Sequence, residues 1–167
     1  MNIDEVSKIY KARDNLLYYI SEQGYNVSEY QHFTIDEINA MIQNSDKDDS
    51  PLNITVRNEE KNSTIHVKYH ITTRLTATNI EATSHDYFES IPIPERENHI
   101  LIVVVKTSLN DTMVKMLKQL WDRYHEHVVV LDIPFLQMNI LKHEYVPEHI
   151  KLSEKEKKEF RTFTPTC

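Results

Sequence analysis

The run Ile100-Leu101-Ile102-Val103-Val104-Val105 constrains the fold most. Six consecutive apolar residues, all but Leu101 β-branched, suit a strand covered on both faces. Such a strand is central in a sheet and needs helices on each side. The sequence supplies the next pieces at once. Asn110 or Asp111 can cap a helix, and Val114, Leu117, Trp121 and Tyr124 recur along it at helical intervals, with Met113 and Leu120 on the flanks. Val128 to Leu131 is a second short apolar run. Strand, helix, strand at this spacing reads as a β-α-β unit with a right-handed crossover.

Upstream, Asn2 and Glu5 have capping-box spacing before Val6, Ile9, Leu16, Leu17 and Ile20. Gly24, the single glycine of the chain, follows Gln23 where a left-handed helix end costs least. Thr34 and Glu37 open a second helix with the stripe Ile35, Ile38, Ile42, and residues 44–50 read as a loop closed by Pro51. Leu52, Ile54 and Val56, then Ile65, Val67, Tyr69 and Ile71, alternate with period two. They predict two antiparallel strands joined by the polar stretch 58–63. Residues 74–91 read as a frayed helix. Ile91-Pro92-Ile93-Pro94 reads as extended, because a residue before proline avoids the helical region. Phe135 to Leu141 reads as a strand, or a turn plus strand, and Ser153 with Glu156 caps a short final helix ending near Pro165. The fold class is α/β (α+β): N-terminal helices, a mixed sheet with a β-α-β unit, then the start of a small second domain.

Composition removes whole classes of function. One glycine leaves no phosphate-cradling glycine loop and no nucleophile elbow. One cysteine, Cys167, excludes an internal disulfide framework and multi-cysteine zinc sites. A net charge of −7 argues against independent binding to nucleic acid through a broad basic surface. No apolar run reaches the length of a membrane span, and the first residues lack a signal-peptide layout, so an intracellular location is expected.

The nine histidines raise a metal reading. His66 and His70 would share a strand face, as would His125 and His127, while His143 and His149 sit in HEYVPEH. That segment departs from the zinc motif H-E-x-x-H in spacing, and Pro147 breaks any helix through it. A metal-dependent nuclease would need converging carboxylates. The core strand carries none, and Asp132 at a strand end has no visible partner. The C-terminal run Lys151 to Arg161, charged in both signs, reads as a solvent-facing helix. The expected chain is therefore non-catalytic, without cofactor, metal or small-molecule substrate.

The segment from Met138 to Ser153, MNILKHEYVPEHIKLS, resembles the signature N-I-x-x-H-E-L-V-P-x-H-x-x-L-S of the fifth-largest subunit shared by eukaryotic RNA polymerases I, II and III. The small archaeal RNA polymerase subunit that is similar to its C-terminal part opens with the same motif. Tyr145 replaces the usual leucine. Val6 to Tyr10, Glu22 to Val27 and Ile100 to Lys118 are similar, more weakly, to the eukaryotic subunit's first helix, its R-G-Y turn, and its central strand with the following helix.

The resemblance implies a non-catalytic subunit of DNA-directed RNA polymerase acting in transcription. It implies a jaw-like domain at 1–137, near downstream DNA, and the beginning of an assembly domain at 138–167. The polymerisation site would lie in the two large subunits. His143, Glu144, Tyr145, Val146, Pro147, Glu148 and His149 would dock on the largest subunit, on a stretch that Pro147 stiffens by holding Val146 extended. Lys106, Asn110, Asp111, Thr112, Lys115 and Lys118 would lie near DNA, which is met only within the complex. The family's loop there reads T-P-S-A. Here Asn110-Asp111-Thr112-Met113 lacks the proline and carries an acid, which weakens the expected contact.

The family's C-terminal domain continues beyond Cys167, so a fragment or a shortened homologue is expected. The Asn/Ile-rich composition suggests a large DNA virus. The location would be the nucleus for a cellular protein, and the virion or infected-cell cytoplasm for a viral one. The competing readings are a free-standing interaction or decoy protein on the same scaffold, and a metal-dependent nuclease.

Overall fold

The computed structural model describes residues 2–45 and 50–138. Its first helix, α1 (Ile3–Glu22), starts where Asn2 accepts a hydrogen bond from the Glu5 amide at 2.9 Å. It ends in a Schellman arrangement. The Gly24 amide donates to the Ser21 carbonyl and the Tyr25 amide to the Ile20 carbonyl, with Gly24 at φ +94°. The adjoining turn completes the cap: Asn58 donates to the Gly24 carbonyl at 3.0 Å and Lys61 to the Gln23 carbonyl at 2.7 Å. α2 (Ile35–Gln43) carries the full Thr34–Glu37 capping box.

The sheet follows in chain order. β1 (Ile54–Asn58) and β2 (Ser63–His70) form the expected hairpin, with Ile54 opposite Val67 and Asn58 opposite Ser63. α3 (Ala77–Phe88) leads to β3 (His99–Val105), and α4 (Asp111–Tyr124) leads to β4 (Val128–Asp132). β2, β3 and β4 are mutually parallel, and the strand order is β1-β2-β3-β4. The β-α-β unit read around β3 is present. A second one, β2-α3-β3, precedes it.

The two faces of β3 explain the layers. Ile102 and Val104 join the cluster built by α1, α2, β1 and β2, which includes Leu16, Ile20, Ile38 and Val67. Leu101, Val103 and Val105 join the opposite cluster with Ile80, Phe88, Met113 and Leu120 from α3 and α4. The result is a mixed sheet between two helical layers, an α+β arrangement as the sequence implied.

Three local readings need correction. Residues 74–91 contain a well-capped helix rather than a frayed one. Thr76 and Asn79 make a reciprocal capping box, with asparagine where glutamate or glutamine is usual. Ile93 is not extended but opens a 3₁₀ helix, Ile93–Asn98. Pro94 sits in the first turn, where a missing N–H loses no bond, so the restriction on the preceding residue is overridden. The buried stripe of α4 is also rotated from the expected one. Met113 and Leu120 are buried, whereas Val114, Trp121 and Tyr124 are 52%, 46% and 40% exposed. The turn read after Phe135 is a 3₁₀ helix, Phe135–Gln137. The strand read beyond it and the final helix lie outside the described residues.

Candidate nucleic-acid interface

The parallel strands end at Val105, and the chain passes through Lys106 into the loop before α4. Asn110 is the N-cap of that helix, its side chain accepting from the Met113 amide at 2.9 Å. Asp111 takes the first helical position, where proline is also well tolerated and where a carboxylate faces the positive end of the helix dipole. Thr112 follows it. Lys115 and Lys118 lie one and two turns further, about 6 and 10 Å along the axis from Asp111. Lys106, Asp111, Thr112, Lys115 and Lys118 are exposed.

The structure thus brings Lys106, Asn110, Asp111 and Thr112 to the carboxyl end of the parallel strands, where open α/β sheets place their ligands. Lys115 and Lys118 extend the patch along the outer side of α4. Among the described residues, none of the three lysines has an ion-pair partner. Lys106 also lines a cavity of about 370 Å³ with Glu5, Lys8, Ile9, Ile133, Pro134 and Gln137. Lys8 carries no signal in the sequence, because only the packing of α1 beside the end of β3 brings it there. Such a patch can neutralise phosphate oxygens one charge at a time. Asp111 subtracts from it, and Asn110 is occupied by its capping bond.

A second polar cluster was invisible in the sequence. Glu126 is 2% exposed. It accepts from Ser84 Oγ at 2.6 Å, pairs with His85 Nδ1 at 2.9 Å and lies 3.4 Å from Arg96 Nη1. Arg96 also donates to the carbonyls of Phe88, Ile91 and Tyr124, near the ends of α3 and α4. The residue types suggest a hydrolytic relay, but the wiring differs. In a relay the imidazole stands between hydroxyl and carboxylate. Here the carboxylate stands in the middle and the Ser84 hydroxyl is buried. The cluster is a joint that fixes two helix ends against β4.

His66 and His70 do share the outer face of β2. His66 bonds Thr55 Oγ1 at 2.7 Å and stacks on Tyr87, with ring centroids 5.0 Å apart, while Tyr87 Oη lies 3.2 Å from His99 Nδ1. His125 and His127 do not share a strand face: His125 is the left-handed C-cap of α4 and His127 precedes β4, although both rings lie against Trp121. Among the described residues, no group of three or more His, Cys, Asp or Glu side chains is placed to hold a metal ion. No described helix is long and apolar enough to cross a membrane. The expected docking residues His143, Glu144, Tyr145, Val146, Pro147, Glu148 and His149 lie outside the described residues. No family model matches the chain, and no curated protein matches it.

Proposed function

We propose that the chain is a non-catalytic subunit of a multisubunit DNA-directed RNA polymerase, forming part of a jaw beside downstream DNA and docking on the largest subunit. The segment from Met138 to Ser153 carries this reading, through its near residue-for-residue resemblance to the signature of the fifth-largest eukaryotic subunit. The lysines beside the α4 N-terminus, which have no ion-pair partner among the described residues, support it. They are a local positive patch on a chain of net charge −7, suited to DNA that other subunits already hold and too small to capture duplex alone.

Tagging the chain in its native source and identifying what co-purifies tests the proposal. The two large polymerase subunits are expected in the eluate, and their absence sinks the reading. Pro147→Gly in the same tagged chain is expected to cut that yield several-fold without changing the circular dichroism spectrum, since a flexible segment loses more entropy on docking.

A further inference from the structure

The sheet has two edges, and the chain treats them differently. On β1, the Tyr30 hydroxyl accepts from the Thr55 amide at 3.2 Å and donates to the Thr55 carbonyl at 3.0 Å. One side chain thereby satisfies both outward groups at the middle of that edge, and Arg57 adds a charge. β4 has no such cover among the described residues. The Leu101 amide donates to the His127 carbonyl at 2.9 Å and the Ile133 amide to the Val105 carbonyl at 2.8 Å. By alternation, Val128, Val130 and Asp132 turn their N–H and C=O groups away from β3. The register with β3 is continuous from Val128 to Asp132, so no bulge twists the edge away. No charge or proline interrupts Val128 to Leu131. Among the described residues, short length is the only usual protection this edge has.

Apolar surface flanks the edge on both sides of the sheet. On the α1 side a cavity of about 540 Å³ is floored by Ile100, Ile102, Val129 and Leu131 and rimmed by Phe135 and Met138. Those two rim residues are 51% and 57% exposed. On the α4 side stands half-exposed Trp121, its ring 5.7 Å from that of His127.

We infer that β4 pairs with β4 of a second copy of this chain, antiparallel about a two-fold axis at Val130. A strand added here must be uncharged in its middle and apolar on both faces, and β4 itself meets both conditions. Charge selects the direction. Antiparallel pairing centred on Val130 sets Val128 of one copy against Asp132 of the other. The acidic end of each strand then meets uncharged Val128 of its mate, while a parallel arrangement would align acid with acid. Because the contact is isologous, it closes at two copies. The self-pairing stands apart from polymerase assembly, and the free chain is the material that tests it.

Sedimentation of the full-length chain from about 1 to about 300 μM is expected to show a reversible monomer–dimer equilibrium. Val130→Pro removes an outward N–H that the β3–β4 ladder does not use, so an unchanged circular dichroism spectrum and a monomer at every concentration are expected. His127→Glu, at an exposed position beside the Val128 that faces Asp132 of the mate, is expected to raise the dimer dissociation constant severalfold by adding like charge at that end of the pairing. A wild-type chain that stays monomeric throughout overturns the inference, as does a dimer that survives both substitutions. Slow hydrogen exchange at the Val128 and Val130 amides of the monomer would also overturn it, because the chain would then cover its own edge.

Discussion

His66, His70 and His99 are each held below the ordinary histidine pKa, and burial is the main cause in all three. Lys68 adds to the depression at His66 and His70, and Arg57 at His99. A hydrogen bond at the Arg74 backbone opposes it for His70, and Glu95 opposes it for His99. The unfolded chain takes up these protons near the ordinary value of 6.5, while the folded chain takes them up only at lower pH. In that interval the unfolded state binds more protons, so stability rises with pH. The contribution is complete above 6.5 and is lost as pH falls from there toward the depressed values. Thermal melting should therefore weaken steadily below about pH 6.5. His66→Gln should flatten the slope; an identical slope in that variant would remove His66 from the account. The sequence already placed His66 and His70 on one face of one strand. It did not show Tyr87 stacked on His66, because that meeting depends on where α3 crosses β2.

At the scale of elements, β3 was legible because a strand buried on both faces leaves an uninterrupted apolar run. The two capping boxes on α1 and α2 were legible in position, although Asn2 makes only the side-chain half of its box. α4 was legible as a helix but not in its rotation. Met113, Val114, Met116, Leu117, Leu120, Trp121 and Tyr124 form one broad apolar arc of about 160°, so periodicity alone could not choose which edge of that arc is buried. The β3 and β4 side chains chose it, by accepting Met113 and Leu120. Leu120→Ala should therefore cost about 3 kcal/mol, while Trp121→Ala should cost about 1 kcal/mol or less. Urea titration of the two variants measures both; the reverse order would mean that α4 faces the sheet with its other side. The same geometry explains the candidate interface. Lys115 and Lys118 were found because they lie on the outer side of a recognisable helix, whereas Lys8 reaches the patch only through tertiary packing.

At the scale of the molecule, strands enter the sheet in the order in which they occur in the chain, each beside the one before it. The layered arrangement was legible from the alternation of strands and helices. The second β-α-β unit was not, because the polar outer face of β2 disguised a strand that is parallel to β3. A few contacts break the sequential pattern. Asn15 of α1 donates to the Leu136 carbonyl at 2.7 Å, and Gln137 donates to the Lys8 carbonyl at 2.9 Å, across separations of 121 and 129 residues. This clasp bears on kinetics. On the ribosome, α1, α2 and most of the sheet can assemble as they emerge, but the clasp must wait until residue 137 has cleared the exit tunnel. Loop closure of that length is a late event, so the clasp should be absent from the folding transition state. Asn15→Ala should then raise the unfolding rate several-fold and leave the folding rate within about a factor of two, as stopped-flow chevrons would show. The latch between the two ends of the described chain would set how long a folded molecule lasts, not how fast it is made.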